Sequence, residues 1–334
     1  MRLSYVSPFS SAEHRRHAVD YAQLAEAAGY EAVWMPEAFG SDAFTQLGLL
    51  AGQTSRLRLA TGIVNVFSRS PSLLAQSFAT LDEISRGRAI IGLGTSGPVV
   101  IERWHGSQFA KPLARTRETV AIIRSALSGG RVEHEGEFFR LSGFRLLIRP
   151  VQERMPLYLA TLKPRSVHLT GRIADGWLPT HVSVRHLDGL RRPLAEAARS
   201  AGRDPDDIDM AAMTLAACTQ DGETARMQCR EHLAYYVGGM GRFYHELLHS
   251  YGYGEVADRV RSAWKAGNRA AAAAAIPRPV LDDLVIAGNR DECLEAMQIR
   301  RRAGFRHIVI FPPHGSSVEQ VKATLTAMAL VAAP

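Results

Sequence analysis

Short runs of apolar, β-forming residues alternate with helical segments along almost all of this 334-residue chain. That alternation constrains the fold more than any other feature. The strand candidates are RLSYVSPF, EAVWMPEAF, LRLATGIVNVF, RAIIGLG, PLYLAT, DGWLPTH, IDMAAMTLAAC and RHIVIFPP. Between the first two, HRRHAVDYAQLAEAAG puts Ala18, Tyr21, Ala22, Ala25 and Ala28 on one helical face and stops at Gly29. In SPSLLAQSFATLDEIS, Ser70 has the place of an N-cap and Pro71 that of the first helical residue. Helices are also expected from Pro112 to Ser128, from Pro164 to Ile173, from Arg185 to Ala201 and over RDECLEAMQIRRRAG. A long helical stretch is expected over about residues 221–289, where AAAAAA has strong helix propensity. Strands that are apolar throughout suit a parallel sheet buried on both faces. Eight such units, with no proline-rich or polar linker between halves, predict an α/β fold, a (β/α)8 TIM barrel, in one domain over residues 1–334. The rhythm breaks once, after the fourth unit. GRVEHEGEFFRLSGFRLLIRP is too rich in turn and β residues for a helix and reads as an insertion at about 130–150 containing a hairpin.

The stretch GLGTSGPVVIERWHG, Gly92 to Gly106, contains G-x-G-x-x-G, the spacing of a dinucleotide fingerprint. Its setting argues against that use. The fingerprint belongs in the first strand–turn–helix of its domain, and this is the fourth. Pro98 follows the third glycine at once, where the helix should already run. Glu118, at about the distance of the ribose-binding acid, lies inside LARTRETVAIIRSAL, which has helical spacing at Thr116, Val120, Ile123 and Leu127. A glycine-rich βα turn without a ligand, or a backbone-lined ligand site on another fold, are the other readings.

Charge narrows the partners. The net charge is +7, yet only four of the 40 basic residues are lysine (Lys111, Lys163, Lys265, Lys322), and the arginines are scattered. No basic stripe is interleaved with aromatics, so nucleic acid is not an expected partner. A positive field suits an anionic small ligand. Cys218, Cys229 and Cys293 have no CxxC spacing. A sparse, odd set argues against a disulfide framework and fits a reducing cytoplasm. No apolar run nears the length of a membrane span, and no signal-peptide core is present.

In a barrel of this kind ligands bind at the C-terminal strand ends. These are Pro8 and Phe9; Glu37, Ala38 and Phe39; Gly62 to Phe67; Gly94 to Pro98; Ala160 to Ser166; Thr180 and His181; and Pro312 to His314. The first strand ends SPF rather than H-x-H, and the histidines look dispersed, so no metal site is expected. No carboxylate pair ends the fourth and seventh strands as a glycosidase requires, and there is no G-x-S-x-G elbow. Strand ends rich in glycine and small residues suit a large cofactor that brings its own reactivity.

TGIVNVFSRSPSLLAQSFATLDEISRGRAIIGLGTSGPVVIERWHG resembles the bacterial luciferase-like superfamily of flavin and deazaflavin oxidoreductases. GLGTSGPVVIERWHG followed by KPLARTRETVAIIR resembles its coenzyme F420-dependent branch. ADGWLPTH and AWKAGNRAAAAAAIP match as well, so the resemblance covers nearly the whole chain. It implies the same barrel, a homodimer, and hydride transfer between F420 and a small organic substrate. An FMN-dependent monooxygenase using reduced flavin and dioxygen is the alternative, and a flavin-binding barrel without catalysis is a third. It further implies that Glu37 lies near the deazaflavin, and that Gly62, Ile63 and Asn65 form the wall behind the ring, with a cis peptide at Gly62–Ile63. Thr95, Ser96, Gly97 and Pro98 would form the turn beside it, and Thr180 would follow the sixth strand. Ala160, Thr161, Leu162, Lys163, Pro164, Arg165 and Ser166 would open a helix that cradles the cofactor phosphate. Backbone N–H groups at a helix start attract an anion, and Lys163 adds charge. Where the sugar-phosphate dehydrogenase branch has a histidine after the strand-two acid, this chain has Ala38, which speaks against sugar-phosphate oxidation. Glu37, serving the cofactor, and His105, serving the substrate, are the catalytic candidates.

Overall fold

The computed structural model describes residues 1–9 and 11–332. Eight parallel strands form a closed barrel: β1 (Arg2–Val6), β2 (Ala32–Met35), β3 (Arg58–Thr61), β4 (Ala89–Gly94), β5 (Leu157–Ala160), β6 (Gly176–Trp177), β7 (Asp209–Cys218) and β8 (His307–Phe311). Each pairs with the next, and β8 returns to β1 with His307 opposite Arg2 and Ile310 opposite Tyr5. Helices cover the outside, as the alternation predicts. Ser70 caps the helix Pro71–Ile84 by accepting from Leu73 N–H at 3.2 Å.

Side chains fill the barrel. Trp34, Ile90, Tyr158, Leu178, Met213 and Val309 form its interior cluster, with the Trp34 and Tyr158 rings edge to face at 5.2 Å. Packing this dense explains the glycines of GLG. A Cβ at Gly92 would overlap the carbonyl oxygen of Thr61, and one at Gly94 would come within 2.9 Å of Ile63 Cγ1. These glycines let β3 and its extension approach β4. Their spacing reports sheet packing, not a phosphate turn.

Several elements differ in extent from the periodicity. The third strand is interrupted: β3 stops at Thr61, the Gly62–Ile63 peptide is cis, and Val64–Asn65 resumes pairing against Leu93 and Gly94. The stretch 221–289 is not continuous helix. It divides into helices Glu223–Gly239, Phe243–Ser250, Gly254–Lys265, Arg269–Ala274 and Arg278–Leu284, then a strand, Ile286–Gly288, added to the edge of β7. Positive-φ glycines at 241, 252 and 267 make three of the four breaks, because only glycine takes that backbone without steric cost, and Pro277 stands at the fourth.

The insertion is a hairpin, Val132–Glu135 with Arg140–Phe144. Glu118 anchors it. This buried carboxylate accepts the backbone N–H groups of Glu137, Phe138 and Phe139 at 2.9, 3.1 and 3.2 Å. Burial alone would raise its pKa, but the N–H groups of Phe138 and Glu137 and the His134 ring hold it below the usual carboxylate value. The acid at the ribose-binding distance is therefore a loop anchor. Arg115, one helical turn away, spreads over the rings of Phe67, Phe138 and Phe139 and ties the hairpin to the barrel mouth.

Candidate active site at the barrel mouth

The strand ends bring most of the expected residues to one rim. Glu37 follows β2. It does not stand alone: Arg69 Nη2 donates to its Oε2 at 2.9 Å, Arg69 also pairs with Asp42, and Ala43 N–H donates to the same Oε2 at 3.0 Å. Asp42 in turn caps the helix Ala43–Gln53. Glu37 is thus the centre of an ion-paired helix start, and both its oxygens are engaged. Arg69 carries the signal that could have revealed this, because it stands directly before the capped helix that begins at Ser70.

Gly62, Ile63 and Asn65 lie together at the end of β3, beside the end of β4. Asn65 is buried, and its Oδ1 accepts from Phe67 and Ser68 N–H at 2.9 and 2.8 Å. Its amide nitrogen stands 3.4 Å from His105 Nε2, so the structure joins these two candidates directly. His105 closes a wide π-type turn, Val99–Trp104, that starts from the Thr95–Pro98 loop. Trp104 projects outward and is largely exposed. Ser96 has a left-handed backbone (φ 54°), and a Cβ on Gly97 would meet nothing nearer than Phe243 at 4.0 Å. This loop therefore presents main chain to open space.

Next along the rim, Ala160, paired with Gly94, and the residues to Ser166 lead into the helix Pro164–Ile173. Thr161 is structural: its hydroxyl pairs with Thr170 at 2.8 Å and its carbonyl accepts from Trp177 Nε1 at 2.8 Å. Leu162 packs inward, and Ser166 Oγ donates to the Lys163 carbonyl. Lys163 Nζ pairs with Glu246 at 2.9 Å and lies over the Phe243 ring. Arg165 is exposed. Thr180 makes a β-bridge to Met213.

Of the residues most strongly marked by their surroundings, His181 and His314 stand among the expected strand ends without a specific role, and His232 was not expected at all. His181 is fully buried, has a left-handed backbone (φ 52°), and has no hydrogen-bond partner on either ring nitrogen. It packs edge-on against Tyr236 and Tyr244, at 5.1 and 5.4 Å between centroids. Burial lowers its pKa to about 4, so it is neutral at pH 7. His232 stacks on Tyr236, accepts the His314 N–H at its Nδ1, and leaves Nε2 unpartnered. Burial first, then the neighbouring His314 and His181, push its pKa well down. His314 Nε2 is likewise unpartnered, and burial lowers that ring too. Native proteins leave few buried polar atoms unsatisfied, and those few concentrate where a ligand completes them. His232 and Tyr236 stand four apart in EHLAYYVGG, a spacing that puts both on one helix face. That was the available signal.

The expectation of no metal site rested on the dispersal of the histidines; the fold brings two of them to an aspartate. Among the described residues, His245, His249 and Asp258 converge, with ligand atoms all within 4.8 Å of one another.

Comparison with known proteins places this mouth in context. Residues 1–307 match the luciferase-like monooxygenase family. The chain is 33% identical to Rv3520c of Mycobacterium tuberculosis, a protein named for coenzyme F420-dependent oxidoreduction, with 96% of this chain and 97% of that one covered. It is 28% identical to the 5,10-methylenetetrahydromethanopterin reductase of Archaeoglobus fulgidus, over 88% of this chain and 89% of that one. Its fold matches the coenzyme F420-dependent tetrahydromethanopterin reductase of Methanopyrus kandleri with a TM-score of 0.86 at 24% identity, over 98% of both chains.

Proposed function

We infer the activity from the premise that this chain belongs to the luciferase-like monooxygenase family: it is a coenzyme F420-dependent oxidoreductase acting on a small organic substrate. One observation about the mouth carries the reading. Its carboxylate is paired with Arg69, its lysine with Glu246, and its buried histidines are neutral. Among the described residues, none of these groups can exchange electrons, which supports two-electron chemistry brought by a bound group. The residues fit a flat ring system with polar edges. Ile63 and the aromatic rings of Tyr236 and Tyr244 offer apolar faces, and His181 offers unpartnered nitrogens.

When bound, F420 supplies a carbon centre that gives or accepts a hydride. Around it the chain has four tasks. Gly62, Ile63 and Asn65 back the ring, and the Thr95–Pro98 main chain lies beside it. The start of the helix Pro164–Ile173, with Lys163 and Arg165, holds the phosphate by backbone N–H groups and charge. Glu37, through Arg69, positions the β2 rim on the cofactor side. His105, steadied by Asn65, moves the substrate proton. The three free, buried cysteines support a reducing, cytoplasmic setting. The exposed Phe144, Leu147 and Val151 support a homodimer.

Titration with F420 and with FMN at physiological salt tests the reading. F420 should bind more tightly, because the chain's net charge of +7 favours its acidic tail. Equal or tighter FMN binding would move the protein to the flavin monooxygenase class. Glu37→Gln should weaken F420 binding. His105→Ala should lower turnover by roughly 100-fold with cofactor affinity intact, the low end for loss of a general acid or base. Full turnover in His105→Ala would remove the histidine from the reaction.

A further inference from the structure

The helix Phe243–Ser250 reads FYHELLHS. It contains H-E-x-x-H, in which two histidines four residues apart place both rings on one helix face. The fold supplies a third group. The next helix, Gly254–Lys265, turns back against this one and brings Asp258 between the rings. Asp258 Oδ1 lies 2.8 Å from His245 Nε2 and 3.1 Å from His249 Nε2, and the two imidazole centroids are 4.6 Å apart.

Three donor atoms within 4.8 Å of one another can serve a tetrahedral ion, with a fourth position left to water. Bonds of about 2.0–2.2 Å set tetrahedral ligand separations of about 3.4 Å, so the two histidine–aspartate contacts must widen and the hydrogen bonds give way for an ion to enter. Two imidazoles with one carboxylate suit a borderline-soft divalent ion rather than calcium or magnesium. Asp258 is ionised, its pKa lowered by the hydrogen bonds from His249 and His245. Gly254 makes room for the ring, because a Cβ there would stand 2.7 Å from His249 Nδ1. His249 and Asp258 are exposed, so an ion can enter from solvent.

We propose that His245, His249 and Asp258 form a binding site for a divalent first-row transition ion, zinc foremost, that staples the helix Phe243–Ser250 to the helix Gly254–Lys265. The acid of the motif does not serve hydrolysis here. Glu246 is held by Lys163 at 2.9 Å and by Arg242 at 3.3 Å. The same short helix carries Tyr244 against His181 and Phe243 against Lys163, so the staple fixes one wall of the barrel mouth. This site stands independently of which cofactor the mouth takes.

The test is calorimetric titration of full-length, tag-free protein with zinc chloride at neutral pH, with thermal melting alongside. One ion per chain should bind saturably and raise the melting midpoint. His249→Ala and Asp258→Asn, both at exposed positions, should each weaken zinc binding by about 100-fold, the upper end of what losing even an outer partner of a metal site costs. His17→Ala removes a histidine that pairs with one aspartate, Asp20, without a second ring, and should bind zinc like the parent. Absence of saturable zinc binding up to millimolar concentration would overturn the proposal. So would parent-like zinc affinity in folded His249→Ala or Asp258→Asn, and the cluster would then be an ion pair between helices.

Discussion

Asp209, at the start of β7, and His181, just past the end of β6, are polar residues at opposite ends of one barrel, and their surroundings are opposite too. Asp209 is saturated. It pairs with Arg2, accepts the Tyr158 hydroxyl at 2.9 Å, and meets His307 Nδ1 at 2.8 Å, while His307 Nε2 reaches Ser4 Oγ at 2.8 Å. Burial would raise its pKa, but His307 by hydrogen bond and charge, and then Arg2, hold it below the ordinary carboxylate value. Among the described residues, the His181 ring has aromatic neighbours and no hydrogen-bond partner. A satisfied buried network adds rigidity, and an unsatisfied one costs stability that a ligand or an ordered water can return. The N-terminal end of this barrel is built to hold the fold. The C-terminal end is built to receive something, the division expected of barrel enzymes.

The largest effect should come from breaking the saturated end. Asp209→Ala leaves Arg2, His307 and Tyr158 without their shared acceptor and should destabilise the protein by about 3–5 kcal/mol in urea unfolding. F420 affinity of the folded protein should not change. A loss below about 1 kcal/mol would mean that the network is dispensable.

Acid separates the two ends next. His181 is neutral when folded, with a pKa near 4, and ordinary when unfolded, near 6.5. Between these values the unfolded chain binds a proton that the folded chain refuses. Stability therefore falls as pH drops from about 6.5 to about 4, by up to about 3 kcal/mol for this group, and His232 and His314 shift in the same direction. The Asp209 contribution is present above its unfolded value, 3.8, and is lost only as pH falls through the lower folded value. His181→Leu should flatten the upper part of the stability–pH curve and leave the acid limb below it intact. At pH 7 it should be as stable as the parent or more so, while binding F420 less tightly. An unchanged slope between pH 6.5 and 4 would show that His181 does not titrate this way.

The smallest effect belongs to the rim. Lys163 and Glu246 are both well exposed, so Lys163→Ala should change stability by no more than about 1 kcal/mol. Its F420 affinity should fall several-fold, with a weaker dependence on salt. An unaltered affinity would take Lys163 out of the phosphate cradle.

Local pattern carried a large share of this molecule into view. The β-forming runs, the Ser70–Pro71 cap and the break at 130–150 follow from preferences that act over a few residues, and the structure repeats them. The mouth was legible as a set of strand ends because a barrel places every such end on one rim. Roles were harder to read. Gly92 and Gly94 looked like a phosphate turn and are spacers between strands. Glu118 looked like a candidate ribose acid and anchors a hairpin. The histidines looked dispersed, since 181, 232 and 314 are far apart in the chain; His245 and His249, four apart on one helix face, were legible as a pair, and only Asp258 joins them after a helix reverses.

The sequence by itself determined the order and kind of the elements, because periodicity, caps and glycine breaks act on the chain locally. Tertiary structure alone decided which polar groups would find partners. Arg69 reaches Glu37 across 32 residues and His307 reaches Asp209 across 98, whereas nothing reaches His181. Hydrogen bonding and desolvation depend on the atoms within a few ångströms, and closing the barrel chooses those atoms. Whether a histidine becomes a structural partner, a ligand-seeking group or one arm of a metal site is settled at that step.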